Sequence, residues 1–190
     1  MKISGFTYVR NGFDFGYPFL AAIQSILPIV DECIVVVGDS TDGTREAVVG
    51  LNSPKIRIID SVWDMSLRTN GVLFAQQSNI GIDNLTGDWA LHIQADEVIH
   101  EADIEVLKNH ILKQSQNPEI EGLILPFLHF WGDFHYIRHT RGTHNFEIRA
   151  FKIHNGTIRA YRDSQGFRKY SSLENYQAGE KGEKLKVAKK

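Results

Sequence analysis

Cysteine is nearly missing from this chain: Cys33 is the single one among 190 residues, so no disulfide can form within it. It stands in the apolar run Cys33-Ile34-Val35-Val36-Val37, where a small buried hydrophobe is expected. No apolar run approaches the roughly 18 residues of a membrane span. The N-terminus opens on a strand-like segment in place of a signal peptide, so a cytoplasmic location without a transmembrane segment is expected. Net charge is scarce too: the formal value is -2, which leaves no domain-wide positive field and argues against a nucleic-acid partner. Internal repeats are absent, and no Gly-x-Gly-x-x-Gly follows the first strand, which disfavours a dinucleotide-dependent dehydrogenase.

What is present is alternation. Ile3 to Val9 reads as a strand leading into the turn-prone Arg10-Asn11-Gly12, and Pro18 suits the first turn of a helix carrying Phe19, Leu20, Ile23, Ile26 and Leu27. The unit repeats with Cys33 to Val37, whose unalternating apolar run fits a strand covered on both faces, then the loop Gly38 to Thr44 and a short helix through Val49. Lys55 to Ile59 is a third strand, a longer helix falls within Leu67 to Asp83, and Gly87-Asp88 turns into the strand Trp89 to Ile93. A further helix carries the stripe Ile104, Leu107, Ile111. This pattern predicts an α/β domain with a mainly parallel central sheet flanked by helices. Beyond the strand Leu123 to Phe127 the texture becomes basic and aromatic, and Asn155-Gly156 between Phe146–Ile153 and Thr157–Tyr161 predicts a C-terminal β-hairpin. We expect one domain over 1–178, with 179–190 a charged tail or an unfinished connection.

Ligands of an open parallel sheet bind beyond the C-terminal ends of its strands, where helix N-termini present unpaired N–H groups. Three polar loops take that place: Thr7 to Gly12, Gly38 to Thr44 and Gln94 to Glu97. Asp39 has the chemistry to accept hydrogen bonds from a base or ribose, although Ser40, Thr41 and Asp42 are equally good turn and capping residues. Asp96 follows an apolar strand and suits a divalent cation or a diphosphate, since Mg²⁺ and Mn²⁺ take one or two carboxylates together with water and phosphate oxygens. Glu97 is the neighbouring candidate ligand; two adjacent acids are also what a plain solvated loop carries. His92, inside a strand, is expected to be a hydrogen-bonded core residue. His135, His139 and His144 lack the spacing of a zinc site. Trp63, Trp89 and Trp131 are expected to serve packing, with Trp131, beside a glycine and an acid, the exception best placed for stacking on a ligand ring.

Together these segments resemble family 2 of the GT-A glycosyltransferases, especially bacterial and phage members that modify surface polysaccharides. Val35 to Thr44 looks like that family's strand followed by Gly-Ser-Thr-Asp-Gly-Thr. Asn79-Ile80-Gly81, Gly87-Asp88-Trp89 and Gln94-Ala95-Asp96-Glu97 look like its Asn-x-Gly, Gly-acid-aromatic and Asp-x-Asp stretch. The resemblance runs over about residues 3–101 and more weakly through 145–156. It implies a nucleoside-diphosphate sugar donor, a glycan or other hydroxyl acceptor, Mn²⁺ or Mg²⁺, inversion at the anomeric carbon and a part in polysaccharide biosynthesis. It also implies donor contacts at Thr7, Val9, Asn11, Asp39, Asn79, Gln94, Ala95 and Asp96, and metal contacts at Asp96 and Glu97.

Three departures qualify it. The acid usual after the second strand falls at Val37, with Asp39 two residues later; Gln94 replaces the first acid of Asp-x-Asp; and members commonly continue past this length to a histidine near the metal, which implies a C-terminal truncation here. For the general base, the acids after the sheet are Asp133, Glu147 and Asp163, with Glu147 best matching the family's downstream acid-bearing strand. An ion pair of Glu147 with Arg149 or another basic neighbour is the structural alternative. Two other functions stand beside transfer: a sugar-phosphate nucleotidyltransferase, which lacks support because Thr7 to Gly12 is not a glycine-rich basic loop, and a non-catalytic nucleotide-sugar-binding or interaction module.

Overall fold

The computed structural model describes residues 1–138, 145–153, 157–161 and 166–189, without the side chains of 68–70. Its centre is a seven-stranded sheet. In chain order the relevant strands are β1 (Ile3–Val9), β2 (Glu32–Val37), β3 (Ile56–Asp60), β4 (Trp89–His92), β5 (Gly122–Pro126), the hairpin pair β6 (Phe130–Trp131) and β7 (Asp133–Ile137), and β8 (Phe146–Lys152). Three short strands, β9 (Ile158–Ala160), β10 (Phe167–Lys169) and β11 (Glu183–Lys184), precede β12 (Val187–Lys189). The sheet order is β12-β5-β8-β4-β1-β2-β3, and β8 alone runs against its neighbours β4 and β5. The mainly parallel sheet expected from the sequence is therefore what forms.

Helices cover both faces, which explains the unbroken apolar run of β2. Cys33, Val35 and Val37 pack on one face with Ile23 and Ile26 of α1 (Phe19–Ile26), Val48 of α2 (Thr44–Gly50), and Leu107 and Ile111 of α4 (Ile104–Ser115). Ile34 and Val36 pack on the other with Phe6, Phe151 and Ala75 and Ile82 of α3 (Val72–Asp83). Each fully buried Val, Leu or Ile in these layers contributes roughly 1.5–3 kcal/mol. Burial pushes the Cys33 thiol up to about 12, which makes it the inert hydrophobe expected. Gly81 of α3 lies against Phe6, where a Cβ would come within 2.8 Å of the ring, so the glycine of Asn79-Ile80-Gly81 serves helix-to-sheet packing.

The C-terminal region departs from expectation. Asn155-Gly156 itself lies outside the described residues, but the strands on either side of it, Phe146–Lys152 and Ile158–Ala160, do not pair with each other. Instead β8 inserts between β4 and β5, while β9 pairs with β10 in a separate antiparallel sheet with β11. A C-terminal hairpin exists, but it is β9–β10. The local turn signal lost to burial: Ala150 and Phe151 of β8 are completed by the main sheet, and Ile158, Ala160 and Phe167 by the α3 face. Where a charged tail or an unfinished connection is expected, residues 179–189 carry paired strands. They hold β11, which pairs with Arg168 and Lys169 of β10, and the edge strand β12, which adds parallel to β5.

At the N-terminal edge of the sheet, Glu32 accepts hydrogen bonds from the Ser4 hydroxyl (2.6 Å) and from the Thr86 amide and hydroxyl (both 2.8 Å). Desolvation opposes its ionisation, yet these bonds and that of Lys2 lower it to about 2. The Gly87 amide donates to Ser4 and the Lys2 amide to Asp88, so Gly87-Asp88-Trp89 ties the start of β4 to β1, away from the loops at the other edge.

Candidate functional site

Strand β1 lies between β2 and β4, all parallel, with Val9 level with Val37 and Phe6 level with His92. The three polar loops therefore leave the same edge, those after β2 and β4 about 10 Å apart, two inter-strand spacings. The positions carrying Asp39 and Asp96 share one rim.

The loops after β1 and β2 are laced together. The Thr41 amide donates to Asn11 Oδ1 and the Asn11 amide to Ser40 Oγ, both at 3.0 Å. The Gly12 amide donates to Thr44 Oγ1 at 2.8 Å. Asp42 takes the Thr44 amide and hydroxyl on Oδ1, and the Phe13 and Asp14 amides on Oδ2. The N-cap of α2 is Gly43, which has no side-chain cap, so the capping expected of Asp42 gives way to a turn contact with Thr44 and a role as a clamp between the two loops. Asp39 Oδ1 accepts from Arg10 Nε at 2.8 Å and from the Trp63 amide at 3.3 Å. Despite some desolvation, those bonds hold its carboxyl below the usual range. Gly38 makes this corner possible, because a Cβ there would sit 2.6 Å from Trp63 Nε1 and 2.8 Å from Arg10 Cβ. Asn11 adopts φ 50°, a left-handed conformation that asparagine tolerates.

The loop after β4 closes into a turn in which the Glu97 amide donates to the Gln94 carbonyl and the Gln94 amide to Glu97 Oε2 at 3.0 Å. Arg149 of β8 then grips Glu97 with both arms of its fork, Nε to Oε2 at 2.9 Å and a terminal nitrogen to Oε1 at 2.6 Å. Glu97 is consequently spent on an ion pair, and its assignment as a metal ligand gives way to that role. Asp96, between them, stays exposed at the surface. Crowding by protein raises its carboxyl above the ordinary value, Glu97 adds to this, and Arg149 and His129 partly offset it. Among the described residues no three His, Cys, Asp or Glu side chains converge as a self-sufficient metal cage would require.

Other expected contacts are drawn elsewhere. Thr7 is buried in mid-strand, its hydroxyl without a described partner, and Val9 is a core side chain. Asn79 spends its amide on Tyr176 Oη (2.9 Å) and its carbonyl on the Ala160 amide (2.9 Å), joining α3 to β9. Ala95 packs on the core, and Gln94 contributes its backbone to the turn. His92 is fully buried, but neither ring nitrogen has a described hydrogen-bond partner; it lies among Phe6 (4.6 Å between ring centroids), Phe167 (5.4 Å) and Tyr8 (6.2 Å). Burial, then the nearby Arg149 charge, keeps it neutral by lowering its pKa well below 6.5.

On the acceptor side, Glu147 is half-buried on β8 opposite Leu125, near the rim, and Arg149 pairs with Glu97 instead of with it. Asp133 is exposed in the β6–β7 hairpin, where it accepts from the His135 amide at 2.8 Å. Asp163, His139 and His144 lie outside the described residues. The hairpin presents Trp131, Phe134 and Tyr136, each at least 66% exposed, with the Arg138 guanidinium 5.3 Å from the Trp131 ring. Its base is tied to the rim by the pairing of Pro126 with Phe146 and by the Phe127 amide on the Asn145 carbonyl. Two depressions of the described surface lie elsewhere, one around Gly87, Trp89, Lys152 and Arg159, the other around Val48, Pro54 and Ile58. The candidate site is an open rim.

Arg10 and Arg149 are what sequence reasoning missed. Arg10 carried a signal, standing in the expected ligand loop directly after β1; Arg149 carried none toward Glu97, 52 residues away.

Comparison with solved structures shows the same fold at low identity. S. aureus TarS in complex with UDP is 19% identical over 70% of this chain and 37% of that one, with a TM-score of 0.53. Mannosyltransferase PcManGT from Pyrobaculum calidifontis, in complex with GDP-Man and Mn²⁺, is 18% identical over 80% and 44%, with a TM-score of 0.51. The 4-diphosphocytidyl-2C-methyl-D-erythritolsynthase from Anaerococcus prevotii is 13% identical over 99% and 86%, with a TM-score of 0.57. The chain spans well under half the length of the TarS structures it matches. A search of curated proteins gives no match. The family model described as glycosyl transferase family 2 matches residues 18–172, most of the chain, and with a mainly parallel, helix-flanked sheet of GT-A type the chain belongs to glycosyl transferase family 2.

Proposed function

We infer that this chain binds a nucleoside-diphosphate sugar along the rim and transfers the sugar to a hydroxyl acceptor, a glycan by the chemistry of the aromatic hairpin. The observation carrying this reading is the convergence of the Asp39 corner and the Asp96 turn on either side of the end of β1. Arg10 and Asp39 together offer N–H donors and a carboxylate beside the Trp63 ring, a set suited to the nucleoside end. Asp96 takes the diphosphate end. A single carboxylate fits a cation that arrives on the diphosphate, because Mn²⁺ or Mg²⁺ completes its shell with phosphate oxygens and water. Such a cation, when bound, would offset charge on the departing diphosphate.

On the acceptor side, Trp131, Phe134 and Tyr136 offer faces for sugar rings, and Glu147 is the acid best placed to take the acceptor proton, being fixed in a strand near the rim. Direct attack by the deprotonated hydroxyl on the face opposite the diphosphate gives inversion. UDP, UDP-GlcNAc and GDP-Man are bound by the related structures named in their descriptions, so uridine and guanosine donors are the first to test. Action in polysaccharide biosynthesis at the cytoplasmic side belongs to the same reading.

The test is thermal denaturation with UDP-, GDP- and dTDP-sugars with and without Mn²⁺ or Mg²⁺: a donor at a hundred times its dissociation constant adds about 2.7 kcal/mol. Asp96→Ala should remove the cation-dependent part. No stabilisation by any donor sinks the reading. The fold likeness over 99% of the chain to a cytidyl-compound synthase gives nucleotidyl transfer second place; it requires binding of a nucleoside triphosphate and release of pyrophosphate.

A further inference from the structure

The Arg149–Glu97 pair is a two-pronged charged contact beside the candidate rim that the proposed function leaves without a part. Arg149 is 4% exposed. It occupies an irregular point of β8: Leu123 faces Ala150 and Ile124 faces Ile148, so Arg149 is the extra residue of a β-bulge. An extra residue re-aims a side chain that strict alternation would direct otherwise. Here the guanidinium lies 4.9 Å from the Phe127 ring and closes both oxygens of Glu97. One of those oxygens, Oε2, also receives the Gln94 amide. Three donors thus fix one carboxylate, and that carboxylate closes the turn carrying Asp96.

We propose that Arg149 is a positioning residue that, through Glu97, sets the conformation of the 94–97 turn so that Asp96 alone presents its carboxylate to the cation-bound diphosphate. The last step rests on the donor-binding reading; the turn-setting step does not. With Gln94 where an acid would chelate, a single carboxylate has no second ligand to correct a misplacement, and its direction depends on the turn. An unpaired Glu97 would also compete for the cation from the wrong position. Arg and not Lys is suited to the task, because two parallel N–H bonds fix orientation as well as distance.

The experiment compares wild type, Arg149→Lys, Arg149→Met and Glu97→Gln in two measurements. Amide hydrogen exchange should show protection at Gln94 falling at least tenfold in Arg149→Met and less in Arg149→Lys, with Ile34 and Val36 of β2 unchanged. Titration with UDP and GDP should show the gain in affinity on adding Mn²⁺ reduced at least tenfold in Arg149→Met and the cation-free affinity within about twofold of wild type. A pair that serves only general stability would not move the ratio of the two affinities. Unchanged exchange at Gln94 overturns the turn-setting role; lost protection with an intact Mn²⁺ gain overturns the link to Asp96. If wild type binds neither of these nucleotides nor dTDP, the donor reading fails while exchange still decides what Arg149 does to the turn. Should Arg149→Met not fold, Arg149→Lys and Glu97→Gln carry both measurements.

Discussion

Replacing Asp42 probes the joint between the first two loops. Its carboxylate accepts four hydrogen bonds, from the Thr44 amide and hydroxyl on one oxygen and the Phe13 and Asp14 amides on the other. At about 1 kcal/mol net for each bond in a partly exposed setting, less what water restores, Asp42→Ala should cost about 2–3 kcal/mol. For a domain of this size that lowers Tm by about 5–10 °C. Asp42→Asn is the sharper probe: an amide has one acceptor oxygen, so whichever way it turns, its NH₂ faces donors, and it should retain no more than half the effect. Urea denaturation gives the energies, and amide exchange at Phe13 and Asp14 identifies the bonds lost. Against some desolvation, the bonds hold the carboxyl below its usual range, so their contribution should be complete above the unfolded pKa near 4 and fade as pH falls below it. Asp42→Ala within 0.5 kcal/mol of wild type, with both amides still protected, would refute the clamp, by the ordinary tolerance of surface substitutions.

Further outcomes follow from single sites. His92 titrates well below 6.5 when folded, so the unfolded chain binds the extra proton: stability should fall as pH drops below about 6.5, by at most about 1.4 kcal/mol per unit, and His92→Phe should flatten that slope in pH-dependent denaturation. Glu32, lowered from 4.5 to about 2, contributes above the unfolded value and loses that contribution as pH falls from 4.5 toward 2; Glu32→Gln should cost about 1–3 kcal/mol at neutral pH and nothing near pH 2. Gly38→Ala should displace Trp63 and Arg10, costing about 1–3 kcal/mol and weakening donor affinity in the same titration used for Asp96.

The sheet was readable from sequence because its signals are local and mutually consistent. The β2 run has the composition of a strand buried on both faces, and Ile104, Leu107 and Ile111 repeat at helical spacing. The rim followed from order alone, since three polar loops after parallel strands must leave one edge. What escaped was pairing at a distance. Asn155-Gly156 gave a strong turn signal, yet β8 found better partners in β4 and β5. Glu97 looked like a ligand until Arg149 arrived from β8, and Asn79 like a donor contact until Tyr176 and the Ala160 amide took its polar atoms. Side-chain alternation hid Arg149 as well, because a bulge breaks the period on which such a reading depends.

The reversed direction of β8 has an architectural consequence. Because β5 ends and β8 begins at the same border, the β6–β7 hairpin springs from the scaffold at one narrow neck, where Pro126 pairs with Phe146 and the Phe127 amide donates to the Asn145 carbonyl. A loop of that kind can be lengthened, shortened or exchanged with little disturbance to the packed layers beneath. Under the proposed function, acceptor choice would therefore vary with this stretch while the donor rim is kept, and swapping it between homologous chains is the natural route to new acceptors.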